Sequence, residues 1–267
     1  MHPIERLRHV ARAEGADPAL VAREAAYALA SVARSEPAGL LPACRRLVSR
    51  HVASGPVWWL AARMLTDAEP AQAAQRSAAE LDNDPTGDCL VAALPDDATV
   101  VVVGWPDVTA AALRRRGDIE VLVADAGGDG RMLARRLSDA GGDVTVIPDR
   151  GIGAAAVVAD LVLIEGLAAG PTGLLAAPGS HAAAAVAARA GVAVWGVVPV
   201  GRVLPERLWR AVLERFDADG EPWERDGELV PADLLARVVG PQGELDTAEG
   251  LAAATCPAAL ELFRDAG

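Results

Sequence analysis

TVVVVGWPDVTAAALRRRGDIEVLVADAGGDGRMLARRLSDAGGDVTVIPD, residues 99–149, decides the fold. It holds three short β-branched runs: TVVVV (99–103), EVLVAD (120–125) and DVTVIPD (143–149). Each run ends in Gly, Pro or Asp. Between them lie DVTAAALRRRG and GRMLARRLSDAGG, with apolar residues at helical spacing. Downstream the alternation continues with GIGAAAVVA, DLVLIEG (160–166), SHAAAAVAARAG and VAVWGVVP (192–199). Continuously apolar strands alternating with helices specify a parallel sheet covered on both faces. The expected fold class is therefore α/β, a doubly wound, Rossmann-like, mostly parallel sheet.

Upstream, the pattern is helical. ADPALVAREAAYALASVARSEP carries an apolar stripe of helical period and stops at Pro37. Further helices are expected over Gly39–Val52, from Pro56 through VWWLAARMLTDA, and over Ala71–Leu81; NDPTGD (83–88) reads as a turn. The expected organisation is a helical N-terminal domain over 1–88, an α/β domain over 94–243 and a C-terminal tail over 244–267. A last helix is expected around PADLLARVVG, after an irregular acidic connection from Asp217 to Glu228.

Composition narrows the chemistry. The chain has 267 residues, is 52% hydrophobic and carries a net charge of −12. That suffices for a large core and excludes a disordered chain. All 25 basic residues are Arg, which removes Schiff-base, P-loop-lysine and lysine-base mechanisms. The acidic balance argues against a broad nucleic-acid footprint. No apolar run is long enough for a membrane helix, and the opening MHPIERLRHVARAEGADP lacks a secretory pattern, so a cytoplasmic protein is expected. Cys44, Cys89 and Cys256 are far apart, and the four His show no metal spacing. No metal or cofactor is expected.

In doubly wound sheets, ligands sit at the carboxyl ends of the strands. Those ends are Gly104-Trp105-Pro106-Asp107, DAGGDGR (125–131), Asp149-Arg150-Gly151 and Glu165-Gly166. DAGGDGR suits either a phosphate nest with Arg131 as anion ligand or a solvated turn. PGSHAAAA places Ser180 as a helix N-cap or as a hydroxyl facing a phosphate. RGIGAAA (150–156) has a dinucleotide-like Gly-x-Gly-x-x-Ala, but it follows the third strand with no acid about 20 residues on. It reads better as a tight turn packing a short helix. Trp58 and Trp59 read as core or interface residues, Trp105 as a strand-end contact to a ligand or partner.

From Thr99 to Pro199 these segments resemble the translation initiation factor 2B alpha/beta/delta subunit family, which includes methylthioribose-1-phosphate isomerase and ribose-1,5-bisphosphate isomerase. VVVVGWPD, RMLARRLSDAGGDVTVIPDRGIG, ADLVLIEGLAAGPTGLLAAPGSHAAAAVAARAGVAVWGVVP and ELVPADLLARVVGPQG (228–243) carry the likeness. It implies a helical N-terminal domain, a Rossmann-like domain and dimerisation through the latter. It also implies departures from the isomerases. Gly104 stands where they have a Cys, and Leu167 where they have an Asp. Ala176-Ala177 replaces their Asn-Lys, and Arg131 is displaced from their phosphate Arg. Ser54-Gly55-Pro56 is all that matches their N-terminal phosphate motif, while Gly179-Ser180 is kept.

Three readings follow. The first is a noncatalytic protein binding a phosphorylated sugar, a nucleotide or a protein partner at the strand-end crevice. The crevice would use Gly104, Trp105, Asp125, Arg131, Asp149, Arg150, Glu165, Gly166, Gly179 and Ser180. The second is a diverged aldose-phosphate isomerase with Glu165 or Asp149 as base and Arg131 or Arg150 holding the anion. The third is a structural subunit pairing with an active homologue. Expected partners are a phosphorylated small molecule and a second copy or homologue, with neither nucleic acid nor membrane.

Overall fold

In the computed structural model, residues 17–218 and 220–263 are described. The opening stretch 1–16, with His2 and His9, lies outside them, as does the end of the tail, 264–267.

The Asp17 carboxylate accepts the Ala19 N–H at 2.8 Å, and Pro18 supplies the first turn of α1 (Pro18–Ser35). Helices α2 (Leu40–Arg50), α3 (Gly55–Thr66) and α4 (Pro70–Asp82) follow. Trp58 and Trp59 are fully buried. Their indole N–H groups donate to the Val52 carbonyl (3.0 Å) and the Thr255 hydroxyl (2.9 Å), so both act as core.

The second half begins with α5 (Thr86–Ala93), so helix starts inside the expected turn over 83–88. The alternation then runs β1 (Thr99–Val103), α6 (Asp107–Leu113), β2 (Glu120–Ala124), α7 (Asp129–Asp139) and β3 (Asp143–Ile147). It continues with α8 (Ile152–Val158), β4 (Leu161–Glu165), the hairpin β5 (Ala168–Gly170) and β6 (Gly173–Ala176), α9 (Ser180–Ala190) and β7 (Ala193–Val197). Helix α10 (Glu206–Asp217), β8 (Glu228–Pro231), β9 (Arg237–Gly240), β10 (Gly243–Leu245) and α11 (Thr247–Ala252) complete the described elements.

The main sheet has seven strands in the order β10-β9-β7-β4-β1-β2-β3, parallel except for β10. Strand side chains alternate between faces. Val100, Val102, Val121, Val123, Leu161 and Leu163 share a core with Leu90, Leu113, Leu133 and Leu137 of the helices on one side. Val101, Leu122, Val162 and Ile164 alternate with them and are buried too. The chain reverses direction between β3 and β4, and the switch point falls between β1 and β4. The fold is α/β, as the alternation specifies.

The expected helix around PADLLARVVG is absent. Those residues form the end of β8, a single turn at Ala232–Leu234, and β9. Pro231 and the β-branched Val238 and Val239 suit extended backbone, and pairing to β7 and β10 buries both valines. The Gly-rich stretch after Glu165 forms the β5–β6 hairpin. β5, β6 and β8 build a separate antiparallel sheet.

The described residues cluster into two units: 17–84 with 200–218 and 252–263, and 85–199 with 220–251. This division is not collinear with the boundaries 1–88, 94–243 and 244–267. Helix α10 buries Leu208, Trp209, Val212 and Phe216 within the helical unit, although it lies between two strands of the sheet unit in sequence.

Candidate functional site

The carboxyl ends of β1, β2, β3 and β4 carry Gly104, Asp125, Asp149 and Glu165. All four belong to the sheet unit. Helices α6, α7 and α9 begin at the same edge of the sheet, and their N-termini hold partial positive charge. A phosphate would be expected there.

The chain's own carboxylates already occupy those positions. Glu165 Oε2 accepts the Thr109 N–H at 2.8 Å and the Thr109 hydroxyl at 2.9 Å, and Oε1 lies 3.4 Å from the Val108 N–H. Both residues lie in the first turn of α6. Asp125 Oδ1 accepts the Arg131 N–H at 3.1 Å at the start of α7, and Oδ2 pairs with Arg131 Nε at 2.7 Å. Asp149 Oδ1 accepts the Ala126 N–H at 2.9 Å and braces the turn between β2 and α7. Glu228, from β8, accepts the His181 N–H at 2.6 Å in the first turn of α9. Glu228 belongs to no strand of the main sheet, and nothing in its sequence surroundings marks this role. Only the pairing of β8 with β6 brings it there.

The two candidate bases stand apart. Between β4 and β3 lie β1 and β2, and three strand spacings put their backbones about 14 Å apart. Glu165 and Asp149 therefore cannot act together on adjacent sugar carbons. Asp125, at 7% exposure, lies between them and faces Arg131. The Arg131 side chain is 73% exposed and turned back onto Asp125. Arg150 is exposed on the single turn Asp149–Gly151.

The other sequence candidates are structural in their surroundings. Gly104 has φ +66°, the left-handed region, and a Cβ there would stand 3.4 Å from the Cβ atoms of Ala126 and Ala177. The backbone itself thus disfavours any residue with a side chain at this position. Gly166 is buried, with its N–H on the Val197 carbonyl. Leu167 donates its N–H to the Leu175 carbonyl at 2.7 Å as the β5–β6 hairpin begins. Gly179 has φ +94°, and a Cβ would press to 2.8 Å from Ile152 Cδ1. Ser180 is 2% exposed at the start of α9. Trp105 is partly buried against the sheet core; its indole N–H donates to Asp107 at 2.8 Å, and the Arg136 guanidinium lies over its ring.

Among the described residues, no His, Cys, Asp and Glu cluster has the arrangement of a metal site. No helix among them is long and apolar enough to cross a membrane. Cys44 and Cys256 are buried, and burial pushes both thiols up to about 12, which leaves them poor nucleophiles.

No family model and no curated protein matches the sequence. Solved structures do match the fold. The translation initiation factor eIF-2B from Pyrococcus horikoshii OT3 aligns with a TM-score of 0.75 at 14% identity, covering 93% of this chain and 98% of that one. The tetrameric eIF2B-beta2-delta2 complex from C. thermophilum gives 0.71 at 17% identity, covering 93% and 92%. The 5-methylthioribose 1-phosphate isomerase from Pyrococcus horikoshii OT3 gives 0.63 at 12% identity, covering 93% and 86%. At such identities the likeness is one of fold, and in fold this chain is similar both to eIF2B subunits and to methylthioribose-1-phosphate isomerase.

Proposed function

We propose that this protein is a noncatalytic relative of the initiation factor 2B subunits that works by associating with a protein partner, a second copy or a homologue. One observation carries the reading: the helix N-termini at the strand ends are engaged by Glu165, Asp125 and Glu228 of the chain itself. A sugar phosphate entering there would meet three carboxylates instead of free amides. The replacement of the isomerases' Cys by Gly104 and of their Asp by Leu167 points the same way. The assembly of the eIF2B-beta2-delta2 relative as a tetramer supports association as the mode of action.

The test combines ligand binding and turnover. The purified chain is screened by thermal shift against ribose phosphates, methylthioribose 1-phosphate, nucleotides and inorganic phosphate. A ligand at 100 times its Kd would add about 2.7 kcal/mol, a shift of several degrees. No shift and no isomerisation are expected. Turnover of any of these sugar phosphates overturns the reading.

The fold shared with the methylthioribose isomerase keeps a second reading in play, a diverged sugar-phosphate isomerase with Glu165 as base. It requires Glu165 to release Thr109 when substrate binds. It predicts turnover that Glu165→Gln abolishes.

A further inference from the structure

Five of the chain's six Trp are at least partly covered. Trp58, Trp59 and Trp209 are buried, and Trp105 and Trp195 are packed in part against the sheet core. Trp223 is 80% exposed. So large an apolar ring is costly to leave in water, and exposed Trp is a frequent anchor of interfaces.

The ring stands on an ordered, acidic turn. Pro222–Glu224 form a single tight turn, in which the Glu224 N–H donates to the Glu221 carbonyl at 2.9 Å. Arg225 donates to the Gly220 carbonyl at 3.3 Å. Glu221, Glu224 and Asp226 are exposed beside the ring. Residues 221–226 thus hold three acids against one Arg. Presentation on a preformed turn lowers the ordering cost of binding.

Ring and carboxylates together select a cation. A guanidinium suits both, because its plane stacks on an indole while its N–H groups reach carboxylates. The chain makes the stacking half of this contact three times: Arg63 over Trp59 at 4.5 Å, Arg215 over Trp58 at 4.8 Å and Arg136 over Trp105 at 5.7 Å. Trp223 is not among the three. An acidic turn on a chain of net charge −12 repels nucleic acid and anionic membranes. A second copy carries the same charge and is disfavoured at this turn on the same ground. A protein of opposite sign is steered towards it.

Resting on the associative reading above, we infer that the Trp223 turn docks an arginine-bearing basic segment of a different protein. One guanidinium of that segment stacks on the Trp223 ring. Neighbouring cations of the segment pair with Glu221, Glu224 and Asp226.

The experiment uses the full chain and a dye-labelled synthetic peptide of alternating arginine and serine, followed by fluorescence anisotropy. The wild type should bind the peptide, and less tightly as salt rises. The matching lysine peptide should bind several-fold less tightly, and the glutamate peptide not at all. Trp223→Ala should weaken binding about fivefold or more. Its Tm should be unchanged, because the ring is exposed. E221Q/E224Q/D226Q should weaken binding as well. E69Q/D139N/E249Q removes as many exposed acids elsewhere and should change it by less than about twofold. Absence of binding overturns the inference. So does binding that ignores Trp223→Ala, or that both triple variants weaken equally, since that is attraction to net charge alone. Equal affinity for the lysine peptide overturns the choice of arginine. A wild type that sediments above the 27.4 kDa of one chain, and returns to it in Trp223→Ala, puts a second copy on the turn and overturns the inference too. Each of these failures leaves the noncatalytic reading standing, while turnover of a sugar phosphate removes that reading without touching this contact.

Discussion

The Glu165 carboxylate receives both the backbone N–H and the hydroxyl of Thr109, at 2.8 and 2.9 Å. Thr109 is fully buried, and Glu165 is the last residue of β4. One side chain thus joins the switch point of the sheet to the first turn of α6. Glu165→Ala would leave two buried donors without an acceptor, at a cost of about 1–3 kcal/mol. Thermal unfolding should show a drop of about 2–4 °C for each kcal/mol. Glu165→Gln keeps one acceptor oxygen and should lose less. An unchanged Tm in Glu165→Ala would show that the tether is idle.

Glu228 closes the N-terminus of α9 through the His181 N–H. Removing its charge should open that end to an anion. In Glu228→Ala, inorganic phosphate at constant ionic strength should raise the Tm, and in the wild type it should not. Equal responses in the two proteins would mean that Glu228 does not guard the site.

Gly104 takes φ +66°, a conformation costing an L-residue about 1–2 kcal/mol. Gly104→Cys should therefore lower stability by about that amount and produce no isomerase activity. Urea unfolding and a sugar-phosphate assay check the two halves. Recovered activity would show that the isomerase site is one substitution away.

Arg116 links several groups. It donates to the Val91, Leu94 and Pro95 carbonyls and to Asp96 and Asp118. The Arg116 hydrogen bond, and after it the Asp97 N–H, hold the Asp118 carboxyl well below the usual carboxylate range. A depressed folded value stabilises the fold above the unfolded pKa of about 4, and the contribution fades as pH falls below it. Wild type and Asp118→Asn should therefore differ in stability at neutral pH and converge in acid. Urea midpoints across that window measure this, and a constant gap would be the contrary result.

Burial raises the Cys44 and Cys256 thiols to about 12, whereas Cys89 is only partly buried. A raised folded value stabilises the fold up to the unfolded thiol pKa, and that support is lost as pH rises towards 12. At mildly alkaline pH a thiol reagent should find only Cys89 in the native protein and all three Cys after denaturation. Fast labelling of Cys44 in the native state would contradict its burial.

Much of the fold was legible because its strands carry a local signal. Apart from Glu120 and Glu165 at their ends, TVVVV, EVLVA and LVLIE are β-branched or apolar, as strand interiors buried on both faces must be. The misread stretch, PADLLARVVG, is locally ambiguous, and pairing with β7 and β10 made it extended. In the candidate site, the strand ends were visible as breaks at Gly104, Asp125, Asp149 and Glu165. Their partners were not. Thr109 lies 56 residues from Glu165, and His181 lies 47 from Glu228.

The sequence by itself determined the α/β class, the helical start, the strand-end residues and the absence of lysine chemistry. Each follows from composition or from a period of a few residues. Tertiary structure alone decided that α10 folds with the first helices, that β8 delivers Glu228 to α9, and that the strand-end carboxylates face helix N-termini. Those are long-range contacts, set by which surfaces pack together, and no local pattern in the chain records them.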